Sequence, residues 1–426
     1  MVAPMDSGCR SSSRLPRRRH PGILVVLAAA GLWACSSDSS GPSGIPTTMT
    51  AMEGGGLQAP AGTVLPEGPT VVVLDQRGDP VEGIPVTFQV LEGGGTTPKP
   101  DRITNSRGRA RTPWILGQEV GTHQRIQARA GDLSVEIQAV TIAPVPGEGY
   151  FGRNEYTQYL AGELPLVLSA PHGGNQYPSE ITDRTYGVTG QDRNTMDLAL
   201  RIREEIKAQT GHYPHIVVSH LHRSKLDPNR EIIEAAQGDS ESERAWWEFQ
   251  TFIDEAVRLV EEDFGEGLYI DLHGHGHEIQ RLELGYLLSS TNLANPNEVL
   301  SESSFIYKSS FRALGLQAGT DFANLIRGPE SLGSLLETEG IPTVPSQSQP
   351  DPGGHPFFSG GYNTARHGSR DGGSVSGVQI ECNYDGVRDT PENRQALAEA
   401  LGRALIAFFP AQFGIGFAPL PSPVQK

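Results

Sequence analysis

Three histidines occupy alternate positions in the segment LYIDLHGHGHE, residues 268–278. Residues 268–271 predict a buried strand, and His273, His275 and His277 follow it directly. Imidazole nitrogens are common ligands of Zn²⁺ in proteins. The segment therefore predicts either a metal site or a polar loop, depending on which other side chains the fold brings beside it.

Reactive side chains follow four predicted strands at the point where each strand ends. In an open α/β sheet, ligands bind beyond the carboxyl ends of the strands, so these side chains are expected to share one site. The first strand, LPLVLSA, leads to His172. The other members of the set are His220, His222, Arg223, Asp227, Asn229 and Arg230 after the second strand, Asp271 and His273 on the third, and Glu381 on the fourth.

A catalytic zinc site needs three protein ligands and one position that stays open to water. His172 and His273 are the candidate imidazole ligands, and an acidic residue has to complete the set. Asp192 is favoured because it stands immediately before a predicted helix, whose backbone is rigid. Glu180, on the loop that follows His172, remains an alternative. Each of the two acids could instead be a helix cap or a solvated loop residue.

Asp271 precedes His273 by two residues, so both side chains point to the same face of an extended strand. Asp271 is therefore expected to orient a metal ligand or a nearby arginine through a hydrogen bond. His275 and His277 continue on that face. They are interpreted as residues that line a pocket or face solvent, because three ligands from one strand cannot easily surround one ion.

Strands alternate with amphipathic helices over residues 150–412. The segment DRNTMDLALRIREEIKAQTG carries Leu198, Ile202 and Ile206 at four-residue spacing and predicts a helix that ends at Gly211. The segment SERAWWEFQTFIDEAVRLVEEDFG predicts a longer helix, and a terminal helix follows Thr390 as its N-cap. This alternation predicts an α/β domain with a mixed, mostly parallel sheet. Residues 413–426 are predicted to form a C-terminal tail.

Residues 50–143 have a different character, with short β segments every 8–12 residues separated by turns. This pattern predicts a β-sandwich. The motifs DQRGDPVEGIPVTF, TNSRGRA and WILG resemble the bacterial immunoglobulin-like domains of invasin and intimin type. No acid/base or metal cluster is visible here, so the segment is interpreted as a spacer or adhesion module.

The N-terminal residues predict export. A basic segment precedes an apolar run that is too short to span a membrane, which is typical of a signal peptide over residues 1–34. The residues LWAC resemble a lipoprotein cleavage site and imply a lipid on Cys35, followed by a flexible tether over 35–49. An ordinary signal peptide is the alternative. We expect a lipid-anchored protein of the bacterial cell envelope, at the outer membrane, without disulfides because Cys382 has no partner.

The overall charge excludes one class of partner. The chain has a formal charge of −16, and removal of residues 1–34, with five arginines and one aspartate, would make it −20. Proteins that bind nucleic acids need basic surfaces, so nucleic acid is not an expected partner.

Motifs in the second domain resemble the N-formylglutamate amidohydrolase family over about residues 160–410. They are SAPHGG followed by YPSEI, D…T…DLA (residues 192–199), HR followed by LDPNRE, IDLHGHG, FFSGGYNTARHG and VQIECN, in that order. The resemblance implies a fold similar to the zinc carboxypeptidases, with zinc held by His172, Asp192 and His273. It implies Glu381 as general acid/base, Arg230 with Asn229 as a clamp for a substrate carboxylate, and Arg223 as a stabiliser of the oxyanion or of a second carboxylate. A strand-edge acid at Glu381 and a structural salt bridge at Arg230 are the alternatives.

Three departures from the family pattern put the formylglutamate substrate in doubt. Tyr384 stands where family members often place an arginine, and the usual Leu-Asn-Arg is Pro-Asn-Arg here. An extra Pro/Ser/Gly-rich stretch, residues 330–358, is predicted to be a mobile loop over the site. The favoured function is a zinc-dependent amidohydrolase that cleaves an amide next to a free carboxylate, in an N-acyl amino acid, a peptide C-terminus or a γ-glutamyl linkage. A hydrolase of poly-γ-glutamate or cell-wall peptides and a non-catalytic adhesion or binding lipoprotein are the alternatives. The oligomeric state is not predicted.

Overall fold

The computed structural model describes residues 44–52 and 56–417. The predicted signal peptide, Cys35 with its predicted lipid, and residues 418–426 lie outside the described residues. None of the helices in the described part of the chain is long and apolar enough to cross a membrane.

The first eight strands form two sheets that pack against each other. One sheet has the order β1-β3-β6 and the other has the order β2-β8-β7-β4-β5. Apolar residues from both sheets, among them Val73, Phe88 and Ile126, share one buried core around Trp114. The two-sheet arrangement predicted from the turn spacing is therefore present. The strands are β1 (Pro46–Ala51), β2 (Leu57–Pro60), β3 (Thr70–Asp75), β4 (Pro85–Glu92), β5 (Asp101–Ile103), β6 (Arg109–Arg111), β7 (His123–Ala130) and β8 (Leu133–Ile142).

The prediction of a flexible tether up to residue 49 is wrong at its end. Strand β1 begins at Pro46 and pairs antiparallel with β3. Its sequence PTTMTA has a single large apolar residue, Met49, which is buried in the sandwich core. A segment with so little apolar character resembles a polar linker in the sequence, because its strand conformation depends on pairing with a neighbouring strand.

The second domain is built on one eight-stranded sheet with the order β15-β14-β16-β13-β11-β12-β10-β9. The four central strands, β12, β11, β13 and β16, pair in parallel, and antiparallel strands flank them. The predicted mixed, mostly parallel sheet is confirmed at this centre. The strands are β9 (Gly149–Phe151), β10 (Thr157–Leu160), β11 (Leu166–Ala170), β12 (His215–Ser219), β13 (Gly267–Gly274), β14 (Leu282–Gly285), β15 (Thr343–Val344) and β16 (Val375–Cys382).

Helices cover both faces of this sheet. Alternate residues of the central strands point to opposite faces, so Leu168 packs with the cluster that contains α1 and α11, whereas Val167 packs against α3. Gly211 caps α1 with φ 82°, and the hydroxyl of Thr390 accepts from the N–H of Asn393 at the start of α11, as predicted. The helices are α1 (Thr195–Thr210), α2 (Ile232–Ala236), α3 (Ser240–Phe264), α4 (Ser290–Leu293), α5 (Asn297–Leu300), α6 (Ser303–Lys308), α7 (Arg312–Ala318), α8 (Phe322–Arg327), α9 (Leu332–Thr338), α10 (Tyr362–His367) and α11 (Pro391–Gln412).

Two predicted irregular segments are partly ordered. The first half of the stretch 330–358 contains helix α9 and strand β15 rather than a loop, and Leu332 and Leu336 of α9 are fully buried. Residues 345–358 form no helix or strand, in agreement with the predicted loop. Beyond α11, the rings of Phe413 and Phe417 lie 4.8 Å and 4.7 Å from the ring of Phe409. The tail therefore packs on the domain as far as Phe417. Helix α9 was not predicted, because the prolines and serines around it obscure its short apolar pattern in the sequence.

The sandwich and the second domain contact each other along α3. The guanidinium of Arg244 donates to the carbonyl oxygens of Leu65, at 2.9 Å, and Pro66. The N–H of Val64 donates to the hydroxyl of Thr251 at 3.3 Å. These polar contacts hold the strand-and-turn region of the sandwich against the N-terminal half of the helix.

Candidate metal centre and its cavity

His172, Asp192 and His273 meet at the carboxyl ends of adjacent parallel strands. His172 follows β11, His273 lies near the end of β13, and these two strands pair in register. Asp192 stands three residues before α1. The two Nδ1 atoms are 3.1 Å apart, and each lies 3.3 Å from Oδ2 of Asp192. The structure thus brings together the three residues proposed as metal ligands.

Each imidazole is held from behind by a buried carboxylate. Nε2 of His172 lies 2.7 Å from Oδ1 of Asp227, and Nε2 of His273 lies 2.7 Å from Oδ2 of Asp271. Asp271 also accepts from the hydroxyl of Ser169 at 2.6 Å. A proton on each Nε2 satisfies these contacts and leaves both Nδ1 lone pairs facing the centre, the tautomer that a metal ligand needs.

Asp271 was expected to orient either a metal ligand or an arginine, and the structure pairs it with His273. Asp227 was expected only as one of several polar residues after the second strand, and its contact with His172 was not foreseen. The signal that could have identified it is its position four residues after Arg223, which is also its partner in the structure, at 2.9 Å between Nε and Oδ2.

The donor set fits a zinc ion. Ligand atoms in tetrahedral zinc sites with bonds of about 2.0–2.1 Å are separated by about 3.3 Å. The three separations here are 3.1, 3.3 and 3.3 Å. Two imidazole lone pairs this close repel each other unless a proton or a cation lies between them. Two neutral imidazoles and one carboxylate are also the ligand types that catalytic zinc prefers.

The carboxylates around the centre favour a positive charge there. Burial alone would favour the neutral acids, but interactions with His172 and then His273 hold the pKa of Asp192 well below its usual range. The charge of His273 likewise lowers the pKa of the buried Asp271. Burial would lower the pKa of His273, but Asp271 and then Asp192 raise it well above its ordinary value. The carboxylates stay ionised and stabilise positive charge between them.

Glu381 faces the centre from the next strand. It lies on β16 in register with His273 of β13, and Nε2 of Gln379 donates to its Oε1 at 2.9 Å. Burial raises the pKa of Glu381 to about 7, with His273 acting in the opposite direction and Asp192 adding to the rise. A carboxyl group that titrates near neutral pH is suited to take up and release protons. The contact with Gln379 was not predicted from the sequence.

The two candidate substrate-binding arginines differ in their surroundings. Arg223 is buried and links the supports of the centre, because its Nε contacts Asp227 and its Nη1 lies 3.6 Å from Oδ1 of Asp192. Arg230 is half-buried, with Nε 3.2 Å from Glu234 and Nη1 donating to the carbonyl of Asn229. Both arginines and Asn229 line the cavity in front of the centre.

Glu180 lies away from the centre. Its carboxylate accepts a hydrogen bond from the hydroxyl of Tyr156, whereas Asp192 lies beside both histidines. The hydrogen bond from Tyr156 also lowers the pKa of Glu180. The structure therefore places the favoured acid, rather than its alternative, at the centre.

His275 and His277 form a separate group with Glu283. Nε2 of His275 contacts the carbonyl of Arg281 at 2.8 Å, and its Nδ1 accepts from the N–H of His277, so both ring nitrogens are engaged. Nδ1 of His277 contacts Glu283 at 2.8 Å. This agrees with the interpretation of both histidines as pocket residues, and both line the cavity.

The cavity in front of the centre has a volume of about 490 Å³ and carries an aromatic wall. The ring of Phe358 stacks on the ring of His277 with centroids 4.7 Å apart and an interplanar angle of 12°. Glu283 fixes this pair from behind, since its other oxygen accepts from the N–H of Phe358 at 2.8 Å. Phe358 ends the stretch predicted to lie over the site, and its stacking on His277 was not foreseen.

Comparisons with known proteins give distant likenesses. No family model and no curated protein matches the sequence. Among solved structures, N-formylglutamate amidohydrolase from Ralstonia eutropha JMP134 is 14% identical over 60% of this chain and 96% of that chain, with a TM-score of 0.39. A gene product from Agrobacterium tumefaciens is 12% identical over 59% and 94%, with a TM-score of 0.35. The D00–D0 domain of intimin is 20% identical over 23% and 46%, with a TM-score of 0.18. At these values the comparisons identify no family for the chain.

Proposed function

We propose that the chain is a zinc-dependent amidohydrolase that cleaves an amide next to a free carboxylate. The observation that carries this proposal is the triangle of two Nδ1 atoms and one carboxylate oxygen, with each imidazole backed by a buried aspartate. His172, Asp192 and His273 would hold the ion. A zinc ion bound there would acidify a water molecule and polarise the scissile carbonyl group.

Glu381 is proposed as the general acid/base. It faces the same centre, is nearly buried, and is oriented by Gln379. Its raised pKa allows its carboxylate to accept a proton from the attacking water and to deliver that proton to the leaving nitrogen. A purely structural role explains it less well, because Glu381 makes no ion pair with a described lysine or arginine, while burial disfavours its charged form.

Arg230 is proposed to bind the substrate carboxylate, with Asn229 beside it. A guanidinium group presents parallel N–H donors that match a carboxylate, and Arg230 keeps part of its side chain exposed on the cavity. Arg223 is committed to Asp227 through its Nε. Its proposed contribution is to hold the ligands in place and to direct its remaining donors at the oxyanion.

The shape of the cavity favours an acyl group larger than formyl. A volume of about 490 Å³ lies within the range of drug-sized ligands, and the stacked pair of Phe358 and His277 offers a flat apolar surface. An N-acyl amino acid or a γ-glutamyl peptide with a bulky acyl part fits this arrangement. Anchoring at the cell envelope through Cys35 is proposed from the sequence alone.

Metal content and turnover test the proposal together. The purified protein is expected to bind about one zinc per chain, whereas His172→Ala and His273→Ala lose it. Glu381→Gln should keep the zinc and lose most turnover of N-acyl amino acids. His212→Ala is a matched control, because His212 pairs with Glu163 outside the cavity. Failure to bind zinc after supplementation would refute the mechanism and favour a binding lipoprotein.

A further inference from the structure

A second cavity, of about 590 Å³, lies where the sandwich meets the second domain. Its lining is strongly basic although the chain as a whole carries a charge of −16. Among its lining residues, six arginines face only two glutamates, Glu180 and Glu241. The arginines are Arg102, Arg107, Arg109, Arg111, Arg153 and Arg244. We call this cavity the arginine cleft.

Three of these arginines are already paired with carboxylates of helix α3. Arg244 pairs with Glu248 at 3.0 Å. Arg111 and Arg153 share Glu241, at 3.8 Å and 3.4 Å. Ion pairs with carboxylates of α3 hold these three guanidinium groups in place. One carboxylate for two guanidinium groups leaves positive charge in the wall of the cleft.

The other half are not neutralised by described residues. Arg102, Arg107 and Arg109 come from strands β5 and β6 and the turn between them, and no described carboxylate forms an ion pair with any of them. Hydrogen bonds fix the turn between β5 and β6. Oδ1 of Asn105 accepts from the backbone N–H groups of Arg107, at 2.9 Å, and Arg109, at 3.1 Å. The sandwich thus presents three guanidinium groups without ion-pair partners among the described residues, on or beside a hydrogen-bonded turn.

We propose that the arginine cleft binds an acidic polymer whose repeating unit carries a carboxylate. Guanidinium forks bind carboxylates with two parallel hydrogen bonds, and a cavity of this size accommodates several such groups. Nucleic acid fits less well, because no aromatic side chain lines the cleft for base stacking and the chain as a whole is acidic. The cleft gives the sandwich a function, that of holding a polymer beside the second domain.

The cleft and the metal centre share one loop. The segment between β11 and α1 carries His172 and Asp192 at the centre, and Glu180 in the wall of the cleft. An acidic polymer held in the cleft therefore lies against the same loop that supplies two proposed zinc ligands. Binding in the cleft does not depend on hydrolysis, so the two proposals can fail separately.

Binding of fluorescein-labelled poly-L-glutamate to the full chain, measured by anisotropy, tests the inference. Arg107→Ala/Arg109→Ala is expected to weaken binding about tenfold, and added salt should weaken binding to the unmodified protein. The matched control is Arg125→Ala/Arg129→Ala, which removes the same charge from β7 of the sandwich, outside the cleft. It should change the dissociation constant by less than about twofold.

Three outcomes would overturn the inference. They are equal weakening by the two double variants, absence of saturable binding, and equally tight binding of a single-stranded oligonucleotide of matched charge. Thermal unfolding curves that coincide for both double variants ensure that the comparison is made between folded proteins. Turnover of a small N-acyl amino acid should be the same in Arg107→Ala/Arg109→Ala as in the unmodified protein, which separates this result from the test of the metal centre.

Discussion

Replacing Asp271 by asparagine probes how the protein prepares His273 for a metal. Asp271 is fully buried, and its Oδ2 lies 2.7 Å from Nε2 of His273. Asparagine has the same size, and its amide oxygen can still accept a hydrogen bond from the N–H of Nε2. The substitution therefore removes the negative charge while the ring can keep its orientation.

The expected loss comes from the weaker electron donation by His273. Removing the partner of a metal-bound histidine lowers metal affinity by about 10- to 100-fold, or about 1.4–2.7 kcal/mol. We expect the upper part of this range. Asp271 is shielded from solvent and salt, and its charge is the first of the influences that raise the pKa of His273 against the effect of burial.

Competition with a fluorescent chelator at fixed pH measures the zinc dissociation constant of each variant. Asp254→Asn is the control, because Oδ1 of Asp254 lies 3.2 Å from Nδ1 of His367 in another histidine–aspartate pair, which lies outside the residues that line the cavity. It should leave the zinc affinity unchanged. Equal zinc affinity in Asp271→Asn and the unmodified protein would refute the reasoning, as would an equal loss in Asp254→Asn.

Three further predictions concern substrate choice and stability. Phe358→Ala should raise KM for aromatic N-acyl substrates by about tenfold while KM for N-formyl substrates changes little, because one stacking surface worth about 1–1.5 kcal/mol is lost; equal effects on both substrates would contradict the aromatic wall. Burial lowers the pKa of His215 to about 3. Below pH 6.5 the unfolded state therefore binds a proton that the folded state does not, and the free energy of unfolding decreases as the pH decreases. Urea unfolding at pH 7 and pH 5 should show about 2 kcal/mol less of this decline in His215→Gln, and an unchanged decline would refute it. Leu336→Ala should cost about 2–5 kcal/mol in urea unfolding, because Leu336 is fully buried on α9; a cost below about 0.5 kcal/mol would indicate an exposed loop.

Local patterns in the sequence predicted the long elements well. Leu198, Ile202 and Ile206 are all buried on α1, and Gly211 ends the helix in the left-handed conformation that glycine favours. Such features depend on residues within one or two helical turns. Strand β1 and helix α9 were missed because each is short and weakly patterned. Strand β1 is stabilised by pairing with β3, and α9 is stabilised by the burial of Leu332 and Leu336 in the core of the second domain.

The candidate site likewise has features that the sequence determined and features that depend on the tertiary structure. By itself, the sequence determined that Asp271 and His273 share one face of a strand, because the side-chain period of a strand is two residues, and that reactive groups follow several strand ends. Only the tertiary structure placed Asp192 rather than Glu180 beside the two histidines, supplied Asp227 behind His172, and placed Glu381 opposite His273. These contacts depend on the spatial order of the strands, which differs from their order in the chain. The arginine cleft forms where the sandwich meets the second domain, so no local pattern in the sequence could predict it.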